Sequence, residues 1–490
     1  MKLIKKLLLF LFALLIIFVA YLFFNMLGFD SRQLTADPVA PRPIDKAAID
    51  RFSASLRIKT VSPENLADFD SAEFRLFSSF LTDNYPLTHS RLVTRQFNSY
   101  SYLYEWKGSR PDLKPIVLMS HLDVVPAMTS NRADWKEAPF SGVVKDNVIW
   151  GRGAIDDKVG VIGILEAVEQ LLQENYQPER TVYLAFGHDE ERGGIYGAAT
   201  IAQYLQDKGV EAEFVLDEGM SILRGMVPDI EKDVAMIGIA EKGFISLELK
   251  VKIEGGHSSI PNDETAIDVM ARAVVKLKDN LFPARISEPV RSFIDFLGPE
   301  MPFMNKLVFA NASLFESVIL GIYQKSSTGS SLVMTTTSPT IFRSGTKDNV
   351  IPQIATSTVN FRILPGESSA SVITRVKNII NDERITITKG EFISEPSAVS
   401  STDSFGFQKI NQTIAEIFPG TLVSAGLVVG ATDSRHFNQL SENIYRFLPI
   451  VIHKDNVSSF HGLNERIPVH EYKNVIRFYI QLLKNGTLRN

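Results

Sequence analysis

Residues 115–123 read PIVLMSHLD, and residues 151–173 read GRGAIDDKVGVIGILEAVEQLLQ. The first stretch is a short apolar run that ends in polar residues, as a buried strand does. The second is a glycine-containing turn followed by an amphipathic segment, which is typical of a helix. The same alternation continues along the chain, with strands predicted at 181–186 and 214–216 and a helix at 198–208. This pattern predicts a largely parallel α/β sheet.

The pattern changes after residue 241. Residues 244–253 (FISLELKVKI) alternate between apolar and polar side chains, which predicts a strand with one exposed face, and a similar strand follows at 355–363. We therefore interpret the region between them as an α+β domain inserted into the main domain. The predicted organisation is an N-terminal segment at 1–28, a tether at 29–44, the two parts of the main domain at 45–241 and 366–490, and the inserted domain at 242–365.

The first 28 residues are typical of a membrane segment. Lys2, Lys5 and Lys6 precede an uninterrupted apolar run from Leu7 to Phe24. As a helix this run would span roughly 27 Å, close to the roughly 30 Å of a bilayer's hydrocarbon core. A cleavable signal peptide is the alternative, although its apolar region usually has about 7–15 residues. We favour an uncleaved transmembrane helix with cytoplasmic lysines, which places the main domain outside the cytoplasm; cleavage would make the protein secreted.

The composition excludes some classes of protein and narrows the chemistry of any metal site. The chain has 490 residues, 45% of them apolar, with a net charge of −5 and 0 cysteines. A mildly acidic chain without a basic stripe does not favour a nucleic-acid partner. The absence of cysteine excludes disulfides and thiolate ligands, so any metal must be bound by His, Asp and Glu.

Five short segments place metal-binding types of side chain after an apolar run or in a loop. They contain, in chain order, His121 and Asp123, Asp156 and Asp157, Glu190 and Glu191, Asp217, and His461. Because ligands gather outside the carboxyl ends of strands in open α/β sheets, we expect the first four segments to converge. Each segment alone is a weak signal, since Asp156 and Asp157 could simply cap the helix that follows. The whole set of histidines and carboxylates suits a pair of Zn²⁺ ions.

The order of these segments resembles that of a known family. The motifs are SHLDVVP at 120–126, GRGAIDDK at 151–158, FGHDEERGG at 186–194, LDEG at 216–219, GGHSS at 255–259, DNVIP at 348–352, FRILPG at 361–366, TDSRHF at 432–437 and HGLNERI at 461–467. The chain is similar to the di-zinc aminoacylase and carboxypeptidase family of glutamate carboxypeptidase, succinyl-diaminopimelate desuccinylase and yeast carboxypeptidase S. Within it, the chain looks most like the Gly-X carboxypeptidase and N-fatty-acyl-amino-acid synthase/hydrolase branch.

The resemblance implies a role for each residue of the five segments. It implies two zinc ions per subunit, with His121 and Asp217 on one ion, Glu191 and His461 on the other, and Asp156 bridging both. Asp123 would accept a hydrogen bond from the His121 ring, Glu190 would be the general base, and His257 would stabilise the oxyanion. A cis peptide bond between Asp156 and Asp157 is also implied.

The resemblance also implies how the substrate is recognised. Arg362 and Asn349 are expected to bind a free carboxylate. The same pocket would be lined by Gly430, Thr432 and Asp433. His188 is interpreted as structural, because the ligand positions are already filled, whereas His436 is either a substrate contact or structural.

These features together predict a di-zinc peptidase-type α/β fold with an inserted α+β lid or dimerisation domain. The predicted reaction is zinc-dependent hydrolysis of a peptide or N-acyl amide bond next to a free carboxylate, in a small peptide or an N-acyl amino acid. Water shared by the two ions would attack the amide, and the inserted domain would form a homodimer. The alternatives are an aminopeptidase on a related fold and an inactive, membrane-tethered binding protein. The intact ligand set argues against the second alternative.

Residues 281–335 suggest a hypothesis about the acyl group. The stretch is rich in phenylalanine, with Phe282, Phe293, Phe296, Phe303, Phe309 and Phe315. One interpretation is a binding pocket for a long acyl chain. The other is the core of the inserted domain itself, because apolar stretches usually pack inward. The sequence leaves both interpretations open.

Overall fold

The strands predicted at 115–120, 181–186 and 214–216 lie side by side in the computed structural model, which describes residues 2–63, 65–127 and 134–488. The strands are β1 Val93–Phe97, β2 Ser101–Trp106, β3 Ile116–His121, β4 Val144–Lys145, β5 Val148–Trp150, β6 Val182–Gly187, β7 Phe214–Asp217, β8 Ile222–Leu223, β9 Val234–Glu241, β10 Gly243–Lys252, β11 Gly256–His257, β12 Thr336–Ser344, β13 Val350–Ile351, β14 Ile354–Ile363, β15 Ile385–Ser394, β16 Leu422–Val428, β17 Ile444–Arg446, β18 Val451–Ile452 and β19 Arg466–Pro468. The helices are α1 Lys2–Leu27, α2 Lys46–Ser55, α3 Ser71–Asn84, α4 Pro86–Arg91, α5 Lys158–Gln173, α6 Ala198–Asp207, α7 Ala266–Asp279, α8 Glu288–Leu297, α9 Phe303–Ala310, α10 Glu316–Tyr323, α11 Ser327–Val333, α12 Ser369–Ile380, α13 Phe405–Ile417 and α14 Val469–Thr487.

The main sheet has β3 near its centre. Its order through the described residues is β1-β2-β6-β3-β7-β17-β9-β8-β18, with β16 paired to β9. β3 runs parallel to both β6 and β7, and all its side chains are buried. The sheet is mixed rather than largely parallel, because β2 is antiparallel to β6 and β17 is antiparallel to β9. The α/β class predicted from the alternation of strands and helices is confirmed.

Helix α5 holds the GRGAIDD turn against the sheet. It is buried along nearly its whole length, between β3 and α14. At Gly163 an added Cβ would lie 2.6 Å from a side-chain carbon of Val475 in α14, so the glycine permits the close approach of the two helices. The turn directly precedes α5, and the hydroxyl of Ser120 near the end of β3 contacts the Asp157 carboxylate. This contact keeps the turn at the carboxyl end of β3.

A second sheet, in the order β12-β14-β10-β15, forms with α7 and α12 what we call the second unit, residues 243–282 and 336–394. Between these two ranges, α8 packs against β16 of the main sheet instead. The strands of the second sheet pair antiparallel, and β10 buries alternate side chains, as its sequence pattern predicts. The buried face packs against α7 and α12. Because α12 and β15 complete this core, the unit extends beyond the boundary predicted at residue 365.

The chain first enters and last leaves the second unit at adjacent points. Ser397 N donates to Glu241 O at 3.1 Å, and Glu241 N donates to Ser397 Oγ at 2.9 Å. Gly243, the first residue of β10, permits the close approach of the two segments, because an added Cβ there would be 2.7 Å from Ser394 O. Two of the segments that join the second unit to the main sheet are therefore hydrogen-bonded to each other.

The N-terminal helix α1 projects from the rest of the protein. Most of its apolar side chains are exposed, and Leu22, near its end, is buried. The segment 29–44, predicted as a tether, runs along the main domain. The side-chain amide of Gln33 donates to Val423 O at 3.0 Å and accepts from Val423 N at 2.7 Å. These are the two hydrogen bonds that a neighbouring strand would form with Val423 of β16. Further along, Val39 N donates to Glu416 O at 3.0 Å.

Candidate active site

The ends of three neighbouring strands bring the predicted ligands to one edge of the main sheet. β3 ends at His121, which pairs with Gly187 at the end of β6. A short 3₁₀ turn, Glu190–Arg192, follows β6, and β7 ends at Asp217 next to β3. Because the three strands are parallel, their carboxyl ends share this edge, as the sequence pattern predicts.

The carboxylate of Asp156 lies between two histidines. Its Oδ1 is 3.0 Å from Nε2 of His121, and its Oδ2 is 3.1 Å from Nε2 of His461. The same His461 nitrogen is 3.3 Å from Oε2 of Glu191. One ligand atom each from His121, Asp156 and Glu191 lie within 4.8 Å of one another, so they can share a metal ion. A carboxylate with each oxygen facing a different histidine is suited to bridge two ions.

Asp217 is held at the same edge by backbone amides. Its Oδ2 accepts from Ser434 N at 2.7 Å and its Oδ1 accepts from Glu218 N at 3.0 Å. The residue is 3% exposed. Burial raises the pKa of Asp217, partly offset by these hydrogen bonds. Asp217 thus lies at the same edge of the sheet as His121, and the structure does not bring it into the close group of His121, Asp156 and Glu191.

Asp123 connects His121 to the turn after β6. Nδ1 of His121 is 3.0 Å from Asp123 O and 3.4 Å from Asp123 Oδ1. The two carboxylate oxygens of Asp123 accept from Glu190 N and Glu191 N, both at 3.1 Å. Burial opposes the charge, but hydrogen bonds and the charge of His121 outweigh it and lower the pKa of Asp123. Asp123 therefore stays ionised and sets the positions of a ligand and of the 190–191 turn.

The GRGAIDD turn is fixed by a residue that the sequence did not single out. The peptide bond between Asp156 and Asp157 is cis, as the resemblance implies. Oε1 of Glu465 accepts from Ile155 N at 2.8 Å and from Asp156 N at 3.2 Å, and its other oxygen binds Arg152 Nη1 at 2.6 Å. Glu465 is fully buried. Its position inside the HGLNERI motif was the signal that could have identified it.

The electrostatics of the cluster favour a cation. Burial raises the pKa of Glu191 to about 8, helped by Asp156, and burial also raises the pKa of Glu190 well above its usual range. Both carboxylate oxygens of Asp433, which is buried nearby, have no hydrogen-bond partner among the described residues. Several carboxylates buried together repel one another unless a positive charge lies between them. The donor set and its surplus of negative charge therefore fit divalent metal ions.

His257 and Asn349 lie together on the second unit. β11 pairs with β13, and Ser258 N donates to Asn349 O at 3.2 Å. The His257 ring is exposed, and its Nδ1 is 2.8 Å from Ser259 Oγ. His257 itself pairs with Val350, so the two residues are close together at this pair of strands, and the contacts described for them are all within the second unit.

Arg362 has a neighbour that the sequence analysis missed, Arg435. The Arg362 guanidinium lies 4.8 Å from the centroid of the Phe244 ring, and that of Arg435 lies 5.4 Å from the Phe392 ring. The two rings are themselves 5.4 Å apart. Burial lowers the pKa of Arg362, and the charge of Arg435 lowers it further. Neither guanidinium forms an ion pair with a described residue, and an added Cβ on Gly193, close to Glu190, would lie 3.7 Å from Arg435 Nη2.

The three remaining pocket residues have different surroundings. Both hydrogen-bond donors of Thr432 have a partner, because its N and Oγ1 donate to Glu241 Oε1 at 2.9 and 2.8 Å. Glu241 in turn pairs with the buried Arg446 at 3.2 Å, and Arg446 Nε donates to Ser434 Oγ at 2.9 Å. Gly430 is half-buried, and the space where a Cβ would lie is open. Asp433 is buried near the predicted ligand Asp217.

Two other histidines lie near the site. His436 donates from Nε2 to Gly193 O at 2.9 Å, and burial lowers its pKa to about 4, so the ring is neutral. Its contact positions the turn after Glu190. His188 is buried, with Nδ1 2.6 Å from Ser101 Oγ, and its ring packs edge-on against Phe74. These contacts agree with a structural role for His188.

Residues 117–485 match the sequence profile of peptidase family M20/M25/M40. The chain belongs to this family. The M20 chain is 40% identical over 472 residues to the probable carboxypeptidase S-like 2 of Dictyostelium discoideum, an alignment that covers 94% of this chain and 90% of that protein. It is 38% identical to the N-fatty-acyl-amino acid synthase/hydrolase PM20D1 of Xenopus tropicalis, covering 91% and 87%.

Solved structures agree with the fold of the M20 chain. The metallo-carboxypeptidase Sso-CP2 of Sulfolobus solfataricus aligns with a TM-score of 0.66 at 17% identity, covering 91% of this chain and 100% of that one. Human carnosine dipeptidase 1 aligns with a TM-score of 0.59 at 14% identity, covering 90% and 96%. The family membership predicted from the motifs is confirmed, and with it a hydrolase of the metallopeptidase class that uses a divalent metal, typically zinc.

The position of His461 predicts its effect on metal content. Substituting His461→Ala removes a nitrogen that faces both Asp156 and Glu191. Loss of a residue that only hydrogen-bonds to a ligand usually lowers metal affinity roughly 10–100-fold, and we expect a larger fall here because a ligand itself is removed. Metal bound after dialysis, measured by inductively coupled plasma mass spectrometry, checks this. The control is His470→Ala, which removes another exposed imidazole. Wild-type metal content in His461→Ala would exclude His461 as a ligand.

Proposed function

We propose that this M20 chain is a hydrolase that binds two zinc ions and cleaves an amide bond next to a free carboxylate. The substrate is a small peptide or an N-acyl amino acid. The observation that carries the proposal is the Asp156 carboxylate, whose two oxygens face His121 and His461 separately. His121 and Asp217 would hold one ion and Glu191 and His461 the other, with Asp156 shared. Bound zinc supplies a Lewis acid and lowers the pKa of water toward about 7.

Glu190 is the proton carrier in this proposal. Asp123 holds its backbone, and burial raises the pKa of its carboxyl group well above the usual range, which is the direction expected of a group that accepts a proton and returns it. Glu190 takes the proton from the attacking water, whose oxygen bonds to the amide carbon. When the carbon–nitrogen bond breaks, the same carboxyl group gives that proton to the leaving amine. His257, on the exposed face of the second unit, remains our proposal for the oxyanion donor.

Arg362 and Arg435 together form a site for the substrate carboxylate. Two like charges on adjacent aromatic rings repel each other, and an anion between them would relieve this repulsion. Arg435 also lies beside Gly193, three residues from Glu190, so an anion there is close to the proton carrier. This arrangement favours a substrate with a free carboxylate over one with a free amine. Asn349, Gly430, Thr432 and Asp433 remain proposed pocket residues.

A membrane anchor and a homodimer complete the proposal. α1 is a 26-residue apolar helix with most side chains exposed, which supports an anchor with the main domain outside the cytoplasm; a signal sequence has the same composition. The edge strand β12 exposes Ile341 and Phe342, which supports pairing of two copies through the second unit.

Removing the proton carrier should slow the reaction without removing the metal. For Glu190→Gln we expect kcat to fall by roughly 10²–10⁴, the usual contribution of a general base, because the amide cannot accept the proton. Steady-state kinetics and the metal content of the same preparation check this. Near-normal turnover in a metal-loaded variant would exclude Glu190 from the mechanism.

Removing Arg435 should affect recognition of the carboxylate. For Arg435→Ala we expect kcat/KM toward an N-acyl amino acid to fall about 10–100-fold, because a charged hydrogen bond contributes roughly 1.5–3 kcal/mol. The same variant should act normally on the matching N-acyl amino-acid amide, which lacks the carboxylate. Arg224→Ala, at an exposed ion pair with Asp233, is the matched control. Equal losses on both substrates would show that Arg435 only supports the fold.

The structure favours the core interpretation of residues 281–335. The six phenylalanines lie in four places: Phe282 in the core of the second unit, Phe293, Phe309 and Phe315 among α8–α11, Phe296 against Phe407, and Phe303, which stays half exposed, beside Phe23 of α1. A long acyl group is supported instead by relatives named N-fatty-acyl-amino acid synthase/hydrolase, including the human protein at 36% identity. We propose a long acyl chain on that ground.

The length of the acyl chain tests this part of the proposal. Each buried methylene contributes about 0.8 kcal/mol, so four more carbons should raise kcat/KM by about two powers of ten until the pocket is full. The measurement compares acetyl, octanoyl and oleoyl forms of one amino acid. A flat or falling series would show that recognition depends chiefly on the carboxylate.

A further inference from the structure

The helices α9 and α10 expose an unusual number of large apolar side chains. They and the segment between them carry Phe303 at 53% exposure, Met304 at 64%, Leu314 at 51%, Val318 at 51% and Ile322 at 57%. The opposite sides of these helices contribute Ile319, Phe309 and Phe315 to a buried cluster with α8. The helices therefore have apolar residues on both faces, which differs from the one-sided pattern of a helix that faces water.

The sequence of this segment contains few charges. From Phe303 to Tyr323 the charged residues are Lys306 and Glu316, and α10 reads ESVILGIY. Val318 and Ile322 are four residues apart, so they lie on the same face of α10. Leu314 is a further four residues before Val318. Large exposed apolar side chains concentrated in one segment of a folded protein are typical of an interaction site.

The last turn of α1 is fixed to α9. Nδ2 of Asn25 donates to Oδ1 of Asn311 at 2.7 Å, and Nδ2 of Asn311 donates to Leu22 O at 3.1 Å. The rings of Phe23 and Phe303 are 5.9 Å apart. Asn311 is 4% exposed and also donates to Leu307 O at 2.9 Å in α9. The contact is therefore specific and does not depend on apolar packing alone.

These contacts set the depth of α9 relative to α1. Phe23 belongs to the final turn of the apolar run 7–24. With a rise of about 1.5 Å per residue, the ring of Phe303 lies within one turn of the level at which that run ends. If α1 spans a bilayer, this level is the boundary between the acyl chains and the headgroups. Aromatic and apolar side chains of surface-lying helices occupy this boundary.

We infer that the surface of Phe303, Met304, Leu314, Val318 and Ile322 lies in the outer leaflet of the membrane that α1 spans. The inference rests on the proposed membrane anchor. The partner of this surface is the lipid bilayer, because Phe303 within it packs against Phe23 of α1 and lies near the level at which α1 leaves the acyl chains. The protein is thus attached by a spanning helix and by a second, interfacial contact that fixes its orientation.

The chain offers a clean test, because it has 0 cysteines and a single introduced thiol is the sole labelling site. The full chain is prepared as Val318→Cys and as Ile322→Cys, labelled with nitrobenzoxadiazole and inserted into phosphatidylcholine vesicles. Leu76→Cys on α3, where Leu76 is 54% exposed, is the matched control. Quenching is measured with aqueous iodide and with lipids that carry a nitroxide on the acyl chain.

The lipid contact predicts opposite results for the two kinds of label. Labels at 318 and 322 should be quenched by the acyl-chain nitroxide and resist iodide several-fold more than the label at 76. Iodide quenching equal to that at 76 overturns the inference, and so does protection from both quenchers, which would mean that a second copy covers the surface. Failure of the chain to float with vesicles overturns it together with the anchor. Hydrolysis by the unlabelled chain is assayed in parallel, so failure of the proposed function is recognised separately.

Discussion

The candidate site depends on the concentration of negative charge at one edge of the main sheet. Asp156, Glu190 and Glu191 come from two different loops, and their carboxyl groups are buried together where water cannot screen them. Such an arrangement is stable only when cations share the space, because burial and mutual repulsion both oppose ionisation. The parallel strand ends and the buried helix α5 hold these loops close together, against the mutual repulsion of their carboxylates.

Asp123 and Glu465 hold the predicted ligands in place through hydrogen bonds. Asp123 connects a histidine at the end of β3 to two backbone amides after β6, and Glu465 connects the turn before α5 to the loop that carries His461. Each ligand is thereby fixed by a residue from another part of the chain. The site is consequently a property of the whole α/β domain and not of any one motif.

Much of this could be predicted from the sequence, because apolar runs of period two and helices of period 3.6 are local patterns. The strand ends at His121 and Asp217 follow from that rule, and the order of the motifs identified the family. Arg435 was missed because its significance lies in its closeness to Arg362, which no spacing along the chain reveals. The second sheet continues past the boundary predicted at 365 because β15 pairs with β10, a contact between distant segments. For the same reason, the phenylalanines of 281–335 could not be assigned to a pocket or to a core.

The two hydrogen-bonded crossings at Glu241 and Ser397 have a mechanical consequence. Two adjacent, hydrogen-bonded segments can act as a hinge for the second sheet, while the pairing of the main sheet and the packing of α8 against β16 are left intact. Rotation would move His257 and Arg362 relative to the predicted metal ligands, which stay with the main sheet. Glu241, at the pivot, is bonded to Thr432 and Arg446 and so anchors the pivot in the part that does not move. The geometry separates a stationary part, which carries the predicted metal ligands and Arg435, from a moving part, which carries His257 and Arg362.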